Sequence, residues 1–239
     1  MFCAKSIFGA RYRAFSAERT IVEVEYLYQK YGIREIAFYD DVFTLDKKRI
    51  YEICDLIHKK NLKIHWSCET RVDLVDKDLL KAMKDAGCFC ISYGVETGNE
   101  KILDYLGKGI DFYQVYRAFK DTRDLGIETV GYFMFVPEKE AGASIQETID
   151  LAVRLNADFV QFSKMVGLPG SKAYNPNEKI TSYATFGGKA VDAIDWAQKR
   201  AYREFYINKD YIIKRGLKSL RSVADFKMTL SGVKMLLGG

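Results

Sequence analysis

Charged residues recur directly after short apolar runs in the first half of this 239-residue chain. Asp40 and Asp41 follow the first run, Arg71 follows the second, and Glu96 lies at the end of the third. Carboxylates accept hydrogen bonds and pair with cations, and an arginine binds carboxylates, so these side chains suit the binding of a small charged molecule. We therefore take them as the first candidates for a functional site.

An amphipathic helical pattern follows each of the first four apolar runs, and the repeat of roughly 25–40 residues has the size of a βα unit. Ser16 is predicted to begin the first of these helices, and Gly32 to end it. Thr97 and Glu100 have the spacing of a capping box. The predicted strands cover residues 35–39, 62–68, 88–94, 128–135 and 158–163.

Strands joined by helices predict a parallel sheet with right-handed crossovers, in one of two architectures. The first is an α/β fold of the TIM-barrel type, whole or partial, and the second is a doubly wound open sheet. Polar or glycine residues end four of the five predicted strands. This favours the barrel, because barrel ligands lie across the carboxyl ends of many strands. A doubly wound sheet more often concentrates its ligand contacts at one switch point.

Composition predicts a globular protein of a reducing compartment. Apolar residues make up 48% of the chain and aromatic residues 14%, which excludes a disordered chain. No apolar run reaches the roughly 20 residues that a membrane span needs. The five cysteines, an odd number, do not suggest a disulfide framework. We therefore expect buried, reduced thiols and a cytoplasmic location.

The C-terminal part of the chain is predicted to be helical and basic. The alternation of strands and helices stops after Ser163, and residues 165–187 are rich in proline and glycine, which predicts a loop. We expect a barrel core in residues 1–175 and a helical extension in residues 176–239. From Ala197 onward the chain holds ten Lys or Arg against three Asp or Glu, which suits a solvated helix face or a nucleic-acid surface. Apolar residues interleaved at helical spacing favour the first, so nucleic acid is not an expected partner.

Several phrases of the sequence together resemble the radical SAM superfamily. The similarity is to the subgroup whose longer members carry an N-terminal cobalamin-binding domain, the anaerobic cyclase and methyltransferase-like proteins. The order and spacing of the phrases extend the resemblance over nearly the whole chain. The phrases are FYDDVFT at 38–44, WSCETRVD at 66–73, GVETG at 94–98, QFS at 161–163, LPGS at 168–171 and AYREFY at 201–206.

The hallmark of that superfamily is a C-x-x-x-C-x-Φ-C motif, in which Φ is aromatic and the three thiolates bind a [4Fe-4S] cluster. Phe2 and Cys3 match only the last two positions of the motif. The resemblance therefore implies that Cys3 is one metal ligand of an incomplete set. The other two cysteines and the first barrel strand would precede Met1. We accordingly expect a partial TIM-type barrel of the radical SAM kind that lacks its first strand, truncated at its N-terminus, with an α-helical C-terminal extension.

The resemblance also implies roles for individual residues in binding S-adenosylmethionine (SAM). Asp40 or Asp41 would contact the SAM amino group, and Glu96 would accept hydrogen bonds from the ribose hydroxyls. Arg71 would bind the SAM carboxylate or an acid of the substrate. Gln161 would project from the last strand toward the barrel mouth.

Each of these side chains also suits a structural role. Carboxylates that follow strands are favourable at helix N-termini in any protein, and Arg71 is placed to pair with Glu69 or Asp73. At residues 136–140 the chain has VPEKE where the family usually has Gly-Leu-Pro-Gly-Glu, which leaves the adenine contacts open.

The resemblance implies that a full-length protein cleaves SAM with a [4Fe-4S] cluster and forms a 5′-deoxyadenosyl radical. That radical would abstract hydrogen from a small-molecule substrate, with methyl transfer through cobalamin as the subgroup variant. An electron donor such as ferredoxin or flavodoxin would be a further partner. One alternative is an ordinary barrel enzyme that uses Lys164 as a Schiff-base lysine. Another is an inactive fragment or binding module with a basic helical tail.

We expect the chain, expressed alone and reconstituted anaerobically with iron and sulfide, to bind iron poorly and to leave SAM uncleaved. The reason is that one thiolate cannot hold a [4Fe-4S] cluster. Iron content, cluster absorbance and 5′-deoxyadenosine formation measure this outcome. A stoichiometric cluster that forms 5′-deoxyadenosine would show that other residues supply the missing ligands.

Overall fold

Strands and helices alternate through most of the chain. The structure is a computed structural model, and it describes residues 9, 11–137, 139–174 and 193–219. Its strands are β1 (Glu35–Phe38), β2 (His65–Thr70), β3 (Cys88–Glu96), β4 (Glu128–Phe135) and β5 (Phe159–Lys164). Its helices are α1 (Ala17–Tyr31), α2 (Lys47–Lys59), α3 (Lys77–Asp85), α4 (Glu100–Leu106), α5 (Phe112–Asp124), α6 (Gly142–Leu155), α7 (Ala193–Tyr206) and α8 (Lys209–Ser219).

Local capping rules determine most helix ends, with one exception. The Ser16 hydroxyl accepts a backbone N–H of the first turn at 3.2 Å, and Gly32 ends α1 with a left-handed φ of 67°, as predicted. The predicted capping box at Thr97 is wrong, because α4 begins after Asn99. The side-chain oxygen of Asn99 accepts a first-turn N–H at 3.0 Å. The Thr97 hydroxyl bonds instead to a residue much later in the chain.

The five strands form one parallel sheet in the order β1-β2-β3-β4-β5. Ile36 of β1 pairs with Trp66 of β2, and Glu69 of β2 pairs with Ser92 of β3. A sequential strand order with right-handed crossovers places the connecting helices on one face of the sheet. The α/β prediction and its barrel-type strand order are therefore confirmed. The doubly wound alternative, in which the strand order reverses, is wrong.

Burial alternates along the strands and separates a helix-covered face from a polar face. In β2, Trp66, Cys68 and Thr70 are buried, whereas Ser67 and Glu69 are half-buried. Successive side chains of a strand point to opposite faces. The polar residues of β2 therefore share the face away from the helices.

The described residues form two compact units. The N-terminal unit comprises residues 11–95 and 110–131. The C-terminal unit comprises the described residues of 96–109 and 132–219. Asp40, Asp41 and Arg71 belong to the first unit, and Glu96 and Gln161 to the second.

A buried arginine joins the start of α1 to the end of β1 in the N-terminal unit. Arg49 Nε donates to the Phe15 carbonyl at 2.8 Å, and Arg49 Nη2 donates to Thr20 Oγ1 at 3.3 Å. Its Nη1 lies 3.5 Å from Asp40 Oδ2. A buried charge is costly unless it is paired and hydrogen-bonded. Arg49 therefore fixes the position of Asp40 relative to α1.

Polar side chains of α7 cover the outer backbone edge of β5 in the C-terminal unit. The Tyr202 hydroxyl accepts a hydrogen bond from the Phe162 N–H at 2.9 Å, and the Tyr206 hydroxyl accepts one from the Val160 N–H at 3.2 Å. The Gln198 amide donates to the Phe162 carbonyl at 2.6 Å. An uncovered strand edge is a template for pairing with another chain. These side chains therefore satisfy the backbone hydrogen-bonding groups of the β5 edge and protect the edge from pairing with another chain.

The C-terminal helices are in part as predicted. α7 lies within the stretch predicted to be helical after the loop, and Ile194, Tyr202 and Phe205 are buried, as packing of its apolar face requires. The domain boundary predicted at residues 175–176 lies outside the described residues and stays a prediction. Among the described helices, none combines the length and the apolar character needed to cross a membrane.

Tyr202 predicts how the stability of this unit depends on pH. Burial raises the pKa of Tyr202 to about 12, whereas the pKa of an unfolded tyrosine is about 10. The stabilising contribution is therefore complete below about pH 10 and is lost as the pH rises toward about 12. We expect Tyr202→Phe to lower the free energy of unfolding by about 1–3 kcal/mol at pH 7, because the Phe162 N–H loses its acceptor. The variant should also lose stability less steeply above pH 10.

Urea unfolding at a series of pH values measures both effects. Tyr113→Phe is the matched control, because Tyr113 is 73% exposed and its hydroxyl has water as an alternative partner. If Tyr202→Phe showed the same stability and the same alkaline decline as the control, the proposed covering of β5 would be wrong.

Candidate functional site

The two aspartates after β1 differ in exposure. Asp40 is half-buried and lies beside Arg49, whereas Asp41 is exposed. Asp46, further along, accepts the Arg49 N–H at 3.1 Å and begins α2. Neither predicted aspartate is therefore needed to cap that helix, and the Asp41 carboxylate is open to solvent.

Arg71 at the end of β2 forms a two-pronged ion pair with Asp73. Arg71 Nε lies 2.9 Å from Asp73 Oδ1, and Nη2 lies 3.0 Å from Oδ2. The side chains are 28% and 23% exposed. The pairing that the sequence left open as a structural alternative is thus present. Because both residues remain partly exposed, a ligand carboxylate has access to the guanidinium.

Glu69 and Ser92 are a pair of polar residues that the sequence reasoning did not select. They lie opposite each other in the register of β2 and β3, and both are half-buried. Cys68 and Thr70, on the other face of β2, are buried. The period-two alternation of apolar and polar residues in β2 could have identified Glu69 from the sequence. Its neighbour Ser92 could not be identified in this way, because the pairing depends on the register of β2 and β3.

Glu96 is the most constrained of the candidate residues. It ends β3 with a φ of 76°, a left-handed conformation that non-glycine residues rarely adopt. Glu96 is 8% exposed, and its Oε1 accepts a hydrogen bond from Lys108 Nζ. Lys108 lies between Gly107 and Gly109, which have φ values of 65° and 66°. Two left-handed glycines thus shape the turn that carries the lysine to the carboxylate.

The three residues after Glu96 form hydrogen bonds with residues in the middle of α6. The Gly98 N–H donates to Thr148 Oγ1 at 2.9 Å, and the Thr97 and Thr148 hydroxyls are 3.1 Å apart. Asn99 Nδ2 donates to Glu147 Oε2 at 2.6 Å. A Cβ on Gly98 would lie 2.2 Å from the Glu147 carbonyl oxygen. Only glycine permits this approach, which holds the end of β3 against the helix.

Gln161 lies on the polar face of β5. Val160 and Phe162, its neighbours, are buried, whereas Gln161 is exposed. Its side chain therefore points away from the buried face of the strand, and its place at the barrel mouth stays a prediction. Cys3, the predicted metal ligand, lies outside the described residues, and its role stays a prediction.

The four described cysteines form no disulfide with one another, and three of them are buried. Cys54, Cys68 and Cys88 are buried, and Cys90 is half-buried. Burial raises the pKa of Cys54 to about 12 and also raises the pKa of Cys68. Metal ligation needs a thiolate. Within the described ranges, no group of three or more His, Cys, Asp or Glu residues is placed to hold a metal ion.

Comparison with known families agrees with this arrangement. The family model described as the radical SAM superfamily matches residues 1–152, well over half of the chain. The chain belongs to the radical SAM superfamily. The predicted family is therefore confirmed, and the strand order β1 to β5 is that of a radical SAM fold.

Curated relatives of this radical SAM chain include methyltransferase and cyclase proteins. An uncharacterized methyltransferase of Pyrococcus horikoshii is 32% identical over 229 residues, which cover 90% of this chain and 50% of the relative. The anaerobic magnesium-protoporphyrin IX monomethyl ester cyclase of Rubrivivax gelatinosus is 26% identical, over 88% of this chain and 40% of the relative. The chain thus spans half or less of the length of these relatives.

Solved radical SAM structures share the fold. The radical SAM methyltransferase TsrM of Kitasatospora setae, determined with cobalamin and a [4Fe-4S] cluster bound, superposes with a TM-score of 0.59 at 20% identity. The match covers 65% of this chain and 30% of TsrM. At this identity the likeness shows that the two proteins share the fold.

The contact of Gly98 with α6 gives a test of how the end of β3 is held. We expect Gly98→Ala to lower the free energy of unfolding by about 1–3 kcal/mol, because the added methyl group collides with backbone that must move. Chemical denaturation measures the change. Gly142→Ala is the control, since a Cβ there meets no atom within 4 Å. Equal stability of the two variants would contradict the close approach at Gly98.

Proposed function

We propose that this chain carries the SAM-binding part of a radical SAM enzyme of the cobalamin-dependent methyltransferase and cyclase type, which acts on a small organic molecule. The observation that carries the proposal is Glu96, a strand-end carboxylate that is nearly buried and held at positive φ in a chain of this superfamily. Backbone strain of this kind persists where the surrounding structure enforces it, and it clusters at functional sites.

The described residues fit the polar groups of SAM. SAM has an ammonium group, a carboxylate and two ribose hydroxyls. Asp40 or Asp41 suits the ammonium, Arg71 suits the carboxylate, and Glu96 suits the hydroxyls, since each pairing joins an ionised group to a complementary partner. The Gln161 amide, on the polar face of β5, offers both a donor and an acceptor.

The described residues do not fit the iron–sulfur cluster in the same way. Three of their four thiols are buried in the N-terminal unit, the Cys90 thiol is half-buried, and among the described residues they form no group of metal ligands. We propose Cys3 as one cluster ligand from the motif resemblance alone. Anaerobic reconstitution with iron and sulfide measures whether the chain supplies further cluster ligands.

In the proposed site, the residues of this chain bind and orient the cofactor. Arg71 would exchange one or both contacts with Asp73 for the SAM carboxylate. Glu96 would accept from the ribose hydroxyls and so hold the nucleoside at the end of β3. When bound beside a reduced cluster, SAM supplies a carbon radical for hydrogen abstraction, and the protein contributes orientation and exclusion of water.

The wider setting of the reaction follows from the relatives and is proposed on that basis. Cobalamin would bind through a domain other than the residues described, and an electron donor such as ferredoxin or flavodoxin would reduce the cluster. The free cysteine thiols are consistent with a cytoplasmic location. The alternative is a catalytically inactive binding module with a basic helical tail. The burial of Ile194, Tyr202 and Phe205 in α7 supports packing of that segment over nucleic-acid binding.

Binding measurements test the proposal without requiring turnover. We expect saturation-transfer NMR and calorimetry to show binding of SAM and of S-adenosylhomocysteine to the purified chain. Glu96→Gln should weaken that binding about tenfold, because a hydrogen bond to a charged group is replaced by one to a neutral amide. Glu100→Gln is the control, since Glu100 is exposed in the first turn of α4.

No binding of either compound at millimolar concentration would contradict the proposed function. Equal weakening by both variants would instead show that the loss is one of general charge, and that Glu96 does not contact the ligand.

A further inference from the structure

We propose that Lys108 is a positioning residue that orients Glu96 toward the ribose hydroxyls of the bound nucleoside. This inference rests on the proposed function. It concerns a residue outside the candidate set, in the short connection between α4 and α5. The contacts that support it all lie within the C-terminal unit.

The ion pair of Lys108 and Glu96 lies in a largely buried environment. The side chains of Lys108 and Glu96 are each only 11% exposed. In such a site a carboxylate without a cation keeps its charge largely shielded from water, which is unfavourable. The ion pair of Lys108 with Glu96 should therefore stabilise the charged carboxylate more than a surface ion pair does, since the contribution of surface pairs to stability is usually small.

The Glu96 carboxylate has more acceptor sites than the lysine occupies. An ionised glutamate has two oxygens with about four lone-pair sites. Lys108 Nζ binds Oε1, and within the described residues Oε2 of Glu96 makes no hydrogen bond. The lysine thus occupies one oxygen of the carboxylate and leaves the other available. A ribose presents two adjacent hydroxyl donors, which match an oriented carboxylate.

Lys108 is itself held in place by the packing of α4 and by the turn that follows that helix. Lys108 follows α4, and α4 is anchored by Ile102 and Leu106, which pack against Met134 and Val136 of the same unit. The turn that carries Lys108 has glycine on both sides in left-handed conformations. The packing of α4 and the shape of the turn therefore place the Lys108 backbone near Glu96 through contacts within the protein.

The experiment compares two probes that differ only in the hydroxyls, adenosine and 2′,3′-dideoxyadenosine. We expect the wild-type chain to prefer adenosine by about tenfold, the effect of a hydrogen bond to a charged acceptor. Lys108→Met should reduce this preference to about twofold or less, and Lys108→Arg should restore most of it. Lys101→Met is the control, because Lys101 is exposed on α4, and it should keep the wild-type preference.

The preference between the probes separates positioning from a merely structural role, because general loosening weakens both probes alike. Lys108→Met with an unchanged preference would overturn the inference and leave the proposed function intact. A wild-type chain that binds neither SAM nor adenosine would contradict the proposed function itself. If Lys108→Met does not fold, Lys108→Gln, which keeps a neutral donor, gives the same comparison. A wild-type preference in that variant would overturn the inference.

Discussion

The hydroxyl of Thr148 is the contact on which the strained end of β3 depends. It donates to the Ser144 carbonyl at 3.0 Å and accepts from the Gly98 N–H at 2.9 Å and from the Thr97 hydroxyl at 3.1 Å. A threonine hydroxyl has one donor and two acceptor sites, so this group uses its whole capacity inside the protein. Because the residues that follow are fastened in this way, Glu96 cannot relax to an ordinary extended conformation.

The parts of the fold that depend on local contacts were predictable from the sequence, and those that depend on distant residues were not. The Ser16 cap and the Gly32 terminus of α1 were predicted because each is decided within one helical turn. Thr97 has the spacing of a capping box, yet its hydroxyl bonds to Thr148, 51 residues later. A buried tertiary hydrogen bond therefore prevailed over a local rule, and Asn99 became the cap.

The candidate site was predictable to a similar extent. The rule that parallel strands end at functional edges located Arg71 and Glu96. The partner of Arg71 was among the alternatives because Asp73 is only two residues away. Lys108 was not, since its approach to Glu96 depends on the packing of α4 and on two left-handed glycines. The sequence thus singled out the charged candidate residues, while the ion pair of Glu96 with Lys108 became visible only in three dimensions.

The hydroxyl groups of the tyrosines that cover β5 bond to main-chain atoms of the strand. Four residues of an α-helix advance about 6 Å and two residues of a strand advance about 6.6 Å. Tyr202 and Tyr206 can therefore bind Phe162 and Val160 in matching steps. Because these bonds use only main-chain atoms of β5, a change of the exposed Gln161 side chain leaves them intact and α7 stays docked. If Gln161 contacts the ligand as proposed, ligand preference can change at this strand while the tyrosine contacts with its edge are kept.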